Sequence, residues 1–256
     1  MNNTEFVKKL IDTANNLKTL YVMGGFGAPM NKTNKERYIN EYAYNQKADR
    51  KKMIEAASAD TFAFDCVGLV KGELWGFSGN KNAVYGGAKY CSNGVPDIST
   101  EEMIAVCSGV TENFNSIEVG ELLWMTGHVG VYIGNGLAVE CSPKWANKVQ
   151  ITAVLNIGAK SGYNGRTWTK HGKLPYISYI KGASVTVALE QLQEGAKGEQ
   201  VKTVQRLLSE LGHRCGGVDG EYGPMTAAAV KEFQRSKAIV IDGVVGNQTW
   251  DRLLKG

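Results

Sequence analysis

Apolar residues in the first eighteen positions recur at helical spacing. Phe6, Val7, Leu10, Ala14 and Leu17 fall on one face, while Lys8 and Lys9 interrupt the run. This predicts an amphipathic N-terminal helix and lacks the layout of a secretory leader. A second helix is predicted from Cys66 to about Trp75, where small and apolar residues follow Asp65, a good N-cap. Between 127 and 143, in "GHVGVYIGNGLAVECSP", the pattern changes to the alternation of a β-hairpin around Gly134, Asn135 and Gly136. A two-residue loop would place Val129, Val131 and Ile133 on one face with Ala138, Glu140 and Ser142. A three-residue loop, 134–136, instead gathers Val129, Val131, Ile133, Leu137, Val139 and Cys141. The second register is preferred, because a one-residue slip turns a whole strand over. It places His128 and Glu140 together on the opposite face, as diagonal neighbours about 7–8 Å apart.

The texture changes from Ser184. "LQEGAKGEQVKTVQRLLSELG" predicts a loop and then a helix with Val201, Val204, Leu208 and Leu211 on one face and Gly212 as its stop. The pattern D-G-x-x-G-x-x-T then occurs twice, in "VDGEYGPMT" (218–226) and "IDGVVGNQT" (241–249). Each Asp-Gly makes a tight turn, and Thr226 and Thr249 are expected to cap helices beginning at Ala227 and Trp250. Two domains follow, 1–180 and 184–256.

Composition narrows the class. Of 256 residues, 43% are apolar and 21% charged, which is ordinary globular usage. No apolar run is long enough to span a bilayer, so a soluble chain with no membrane insertion is expected, retained in the cytoplasm of the cell that makes it. The five cysteines (Cys66, Cys91, Cys107, Cys141 and Cys215) form no CxxC pair and suggest free thiols. His128, His171 and His213 fall in no ligand pattern, so neither metal nor other cofactor is expected. The net charge of +4 resides in residues 31–52, with seven basic residues against three acidic. It reads as a solvated helical face rather than a polyanion surface. A nucleic-acid groove would need a larger basic excess.

Candidate chemistry centres on Cys66 in "FDCVGLV". A thiol in the first turn of a helix lies beside unsatisfied N–H groups that favour its thiolate. With His128 and Glu140 it would supply a nucleophile, a base and an orienting group. Spacing alone leaves catalytic and structural use about equally supported. His171, in "TKHGKL", and His213, in "LGHRC", read as surface residues.

Two family resemblances bear on this. Residues 189–254 resemble the small peptidoglycan-binding module of many cell-wall hydrolases, on Gly195, Gly198, Val201, Gln205, Phe233, Gln234, Trp250 and the repeated D-G-x-x-G-x-x-T. "LYVMGG", "FDCVGLV", "VGELLWM" and "GHVGVYIGNGLAVE" resemble the NlpC-type papain-like cell-wall peptidases, over 19–25, 63–78 and 118–143. The resemblance implies an α+β fold: a papain-like domain of N-terminal helices and an antiparallel sheet, followed by a small three-helix module. It implies Cys66 as nucleophile, His128 as general base, Glu140 in the third catalytic position, and Tyr21 and Asp65 as residues lining the substrate site. The sequence departs in three places. Glu140 stands where the family usually has His, Asn or Gln, and Val67 where Ser is common. An insertion of roughly 35 residues from Ala28 to Phe62, a lid or a wall of the groove, lies outside the minimal pattern.

The expected activity is that of an endolysin-like peptidoglycan hydrolase, cutting the stem peptide between γ-D-glutamate and the diamino acid. Its partner would be bacterial peptidoglycan, reached after release from the cytoplasm of a phage's host. The rival activities are an N-acetylmuramoyl-L-alanine amidase using the same three residues, a non-catalytic wall-binding protein and a lipid acyltransferase.

Overall fold

The computed structural model describes residues 1–160, 162–182 and 191–255, apart from the side chains at 247, 251 and 255. The expected boundary at 184, and residues 189 and 190 of the module, lie outside the described residues. The chain divides into two compact units. The first comprises residues 1–158 and 165–185, and the second 159–164 and 186–256.

The first unit is a mixed α+β structure. It contains α1 (Asn3–Asn16), β1 (Thr19–Tyr21), β2 (Phe26–Pro29), α2 (Lys32–Glu41), α3 (Ala48–Ala56), β3 (Phe62–Phe64), α4 (Cys66–Leu74) and α5 (Thr100–Ala105). The strands β4 (Ser108–Thr111), β5 (Leu122–Met125), β6 (His128–Gly134), β7 (Leu137–Ser142), β8 (Lys148–Val154), β9 (Gly165–Arg166) and β10 (Lys170–Lys173) follow. A small sheet has the order β1-β3-β2, and a seven-stranded sheet the order β4-β10-β5-β6-β7-β8-β9. Helix α1 starts in a capping box between Asn2 and Glu5 and buries Phe6, Val7, Leu10 and Ala14. Helix α4 lies against β6 and β7 and is buried over nearly its whole length.

Two glycines set that packing. A Cβ on Gly68 would lie 1.9 Å from the Gly25 carbonyl oxygen, and one on Gly72 would lie 2.6 Å from that of Phe26. The stripe at i and i+4 lets the chain entering β2 lie directly on the helix.

The hairpin differs from the expected form in its turn. Val131 pairs with Val139 and Tyr132 with Ala138, and an irregularity then sets Gly134 opposite Leu137. The loop proper is therefore two residues, Asn135 and Gly136, both at positive φ (54° and 75°) as hairpin turns prefer. The extra residue at 133–134 acts as a bulge and restores the register of the longer loop. Val129, Val131, Ile133, Leu137, Val139 and Cys141 are all buried.

The insertion folds as α2 and α3, with Tyr38 and Ile54 packed in a core beside Val22, Ala28, Met30 and Ala63. It is not merely a solvated basic face. Arg50 is 4% exposed, and Arg37 lies over the rings of Tyr38 and Tyr85. His171 also departs from the expected surface position. It lies buried in β10, bonded to Glu121 through Nδ1 and to the Asn113 carbonyl through Nε2. Burial, the largest single influence, would lower its pKa, but the Glu121 carboxylate and the Asn113 carbonyl together outweigh it and raise it.

The second unit contains α6 (Glu199–Glu210), α7 (Pro224–Ser236) and α8 (Asn247–Lys255) around a core that includes Val201, Leu208, Phe233 and Trp250. Thr226 and Thr249 lie inside α7 and α8 and do not cap them; Gly223 precedes α7 with no side-chain cap. Both threonines instead meet a buried glutamine. Gln205 donates from Nε2 to Asp219, the Glu221 carbonyl and Thr226, and accepts from the Gly220 N–H. Gln234 donates to Asp242, the Val244 carbonyl and Thr249, and accepts from the Gly243 N–H. The duplication thus includes the glutamine helices, "VKTVQR" (201–206) and "VKEFQR" (230–235). His213, expected at the surface, is half-buried, with its ring edge-on to Phe233 at 5.7 Å.

Two outcomes follow. Gln234→Ala strands the buried Gly243 N–H, and should destabilise the second unit by roughly 1–3 kcal/mol. The loss is read as reduced hydrogen-exchange protection across α6–α8 of the full chain, with the first unit unchanged. Glu73, 1% exposed at the end of α4, has its carboxyl pushed up by burial to about 7, against the hydrogen bond from Thr13. A folded pKa above the unfolded one favours the protonated native state. That contribution is whole below about 4.5 and is lost as the pH rises through about 7. Urea unfolding of the first unit should show about 3 kcal/mol less stability at pH 8 than at pH 4.5 from this group, and Glu73→Gln should remove the difference.

Candidate active site

Cys66 stands at the first position of α4 because Asp65 caps the helix. The Asp65 carboxylate accepts from the Gly68 N–H at 2.6 Å and from the Gly24 N–H at 2.8 Å. Both oxygens of Asp65 are thus engaged with backbone, and burial raises the pKa of the carboxyl despite those two bonds. The Cys66 sulfur lies 4.0 Å from the Gly127 carbonyl oxygen. The thiol therefore meets the backbone immediately before His128. Glu101 of α5 holds this turn from outside, accepting from the Gly127 N–H at 3.0 Å.

The expected help from the helix N-terminus is outweighed. Burial, then the neighbouring Asp65 charge, push the Cys66 thiol up to about 12 against the pull of nearby N–H groups. A thiolate at neutral pH thus needs a proton acceptor beside it as well as a helix dipole.

His128 lies across the hairpin from Glu140, with Nε2 to Oε2 at 2.7 Å, leaving Nδ1 as the second ring nitrogen. Its ring stacks on Trp168 at 5.5 Å and 10°. Gly130 makes room for the tryptophan, since a Cβ there would lie 2.9 Å from the indole. Glu140 is fully buried and densely held. Thr152 donates to Oε1 at 2.8 Å, and Arg166 donates from Nε to both oxygens (3.0 and 2.9 Å) and from Nη2 to Oε2 (2.8 Å). Burial would raise the carboxyl's pKa, but the bonds from His128 and Arg166 prevail and lower it. Glu140 is thus held ionised.

Tyr21 is 6% exposed. Its strand pairs it with Phe64, two residues before the thiol, and burial, followed by the charges of Cys66 and Asp65, raises its pKa. The insertion reaches the same place. Tyr44 packs edge-on to Tyr21 at 6.0 Å, and Tyr42 lies so close to Gly24 that a Cβ there would overlap its ring. Arg50 donates to the Tyr21 carbonyl and, at 2.6 Å, to Asn147. The chain thus brings Cys66, His128, Glu140, Tyr21 and Asp65 into one neighbourhood, with the insertion as one of its walls.

Sequence reasoning missed Arg166, Thr152 and Trp168. The signal available for two of them was the alternation in "GRTWTK", which puts Arg166 and Trp168 on one face of an extended segment. Among the described residues, no group of three or more His, Cys, Asp or Glu could hold a metal ion.

Residues 197–253 match the family described as "Putative peptidoglycan binding domain". A spore cortex-lytic enzyme of Oceanobacillus iheyensis is 39% identical over 64 residues, 25% of this chain and 23% of that protein. The N-acetylmuramoyl-L-alanine amidase CwlL of Bacillus licheniformis is 40% identical over 63 residues, 22% of this chain and 18% of its own length. Among solved structures, a Burkholderia AP3 phage endolysin is 38% identical over 25% of this chain and 24% of that one, with a TM-score of 0.24. The chain spans about half or less of the length of these curated relatives. The second unit thus carries a peptidoglycan-binding domain.

If His128 is the proton acceptor for Cys66, His128→Ala should slow alkylation of that thiol by iodoacetamide at pH 7 by roughly a hundredfold. Peptide mapping distinguishes it from exposed Cys91. Equal rates in the two proteins would remove His128 from that role.

Proposed function

We propose that the protein is a peptidoglycan hydrolase in which Cys66, His128 and Glu140 cut an amide bond of the stem peptide. The observation that carries this reading is the meeting of a helix-N-terminal thiol with the backbone flanking a histidine whose Nε2 is held by a buried carboxylate. The peptidoglycan-binding domain names the polymer but not the bond. Relatives of this chain include an amidase and a protein named zinc D-Ala-D-Ala carboxypeptidase, which do not share one chemistry.

In the proposed reaction the Cys66 proton passes to His128 and the thiolate attacks the amide carbonyl carbon. The C–N bond breaks as the imidazolium protonates the leaving amine, which leaves a thioester on Cys66. Water then attacks the thioester, giving its proton to His128, and the carboxylic product departs with the thiol restored. The bond between γ-D-glutamate and the diamino acid is the proposed target. Tyr21, with the ring of Tyr44 packed edge-on against it, would line the approach to the sulfur. Asp65 acts through the helix it caps, its carboxylate being engaged with backbone. The second unit keeps the enzyme on an insoluble substrate by raising its local concentration.

Digestion of purified peptidoglycan by the intact protein and by Cys66→Ala, read by mass spectrometry, tests this. New amino groups on the diamino acid in the first digest alone support the reading. Stem peptides freed at the lactyl end name an amidase instead. Binding by both proteins without cleavage by either overturns the enzyme.

A further inference from the structure

The carboxylate that holds His128 is not electrically alone. Glu140 is fully buried, and Arg166 spans both its oxygens with Nε at 3.0 and 2.9 Å and Nη2 at 2.8 Å. The guanidinium is fixed from several other sides. Its Nη2 donates to Ser142 Oγ at 3.2 Å, and its plane lies 5.0 Å from the ring of Trp145 and 5.6 Å from that of Trp168. Trp168 is the ring on which His128 stacks. Trp145 sits at φ 60°, a left-handed conformation that a bulky residue adopts at a cost and that marks a constrained position. Two indoles, a hydroxyl and a carboxylate thus converge on one cation, a single residue removed from the imidazole.

We propose that Arg166 is a positioning residue that cancels the charge of Glu140, so that the carboxylate orients His128 as a neutral hydrogen-bond acceptor would. This rests on the reading of Cys66, His128 and Glu140 as the catalytic group. An uncompensated buried carboxylate at 2.7 Å would hold the imidazolium strongly. His128 would then give its proton reluctantly to the leaving amine and would seldom be free to accept one from water. Arg166 removes that excess attraction while leaving the geometry of the bond intact. The other charged or titratable groups near His128 are Cys66 and Asp65 at the start of α4, Glu101 bonded to the Gly127 N–H, Cys141 of β7 and Tyr21 of β1. None of them is paired with Glu140 in the structure.

The test is the titration of His128 by carbon and nitrogen NMR of its imidazole, in the full chain without substrate. The chain has only three histidines, which makes assignment by single substitution direct. In Arg166→Met the midpoint of His128 should rise by about one pH unit or more, while those of His171 and His213 stay in place. Arg166→Lys keeps the charge and should hold the midpoint near that of the parent. Glu140→Gln combined with Arg166→Met replaces the pair by neutral groups and should bring the midpoint back down. It also provides a folded comparison should the single Met variant fail to fold.

With peptidoglycan, Arg166→Met should lose at least tenfold in kcat with little change in KM, and its pH profile should move with the imidazole. An unchanged His128 midpoint in Arg166→Met overturns the proposal, as does a midpoint in the double variant that stays raised. Because the titration uses no substrate, its result stands apart from whether the parent protein cuts peptidoglycan. A raised midpoint in a chain that cuts nothing would uphold the charge balance and refute the enzyme.

Discussion

Asp65 accepts hydrogen bonds from Gly68 in the first turn of α4 and from Gly24 in the turn between β1 and β2, and so locks two separate pieces of chain together. Because the carboxylate is buried, losing either bond would leave a costly unsatisfied group. The lock also depends on what is missing from the helix face. Gly68 and Gly72 offer no side chains to keep the 25–26 backbone away. With the helix start fixed this way, Cys66 can point only toward the β5–β6 turn, and the rest of the site is built around that direction.

The hairpin supplies the other half. Its apolar face packs inward as Val129, Val131, Val139 and Cys141, which obliges His128 and Glu140 to share the opposite face. That face would normally meet water, yet Glu140 is fully buried. A carboxylate can remain there because Arg166, Thr152 and His128 satisfy it together. Removal of one partner from such a cluster costs more than the pair is worth, since the remainder stays desolvated. The chemistry of the site and the stability of the sheet therefore draw on the same bonds.

Much of this was legible in the chain. Period-two alternation sufficed to put His128 beside Glu140, because one slip in register would have buried the wrong residues. The bulge at Gly134 was not legible: a three-residue loop and a two-residue loop with a bulge give the same faces. Arg166 was missed because it comes from a two-residue strand far along the chain, too short to carry a periodic signal. His171 was misread because its flanking lysines and glycine suggest a loop. Its burial depends on Glu121, fifty residues away, which no local pattern announces. In the second unit the repeated loops were visible but their purpose was not. Thr226 and Thr249 look like helix caps until the glutamines of the preceding helices, 21 and 15 residues earlier, are seen to claim them.

The buried Arg50 has a consequence for the approach to the thiol. It leaves α3 to grip the backbone of Tyr21 and the side chain of Asn147 at once. A segment tethered in that way cannot swing aside as a door without abandoning a desolvated cation. That wall of the site is accordingly set when the protein folds, so under the proposed hydrolysis wall fragments would be selected by fit at a fixed threshold rather than by closure around a captured strand.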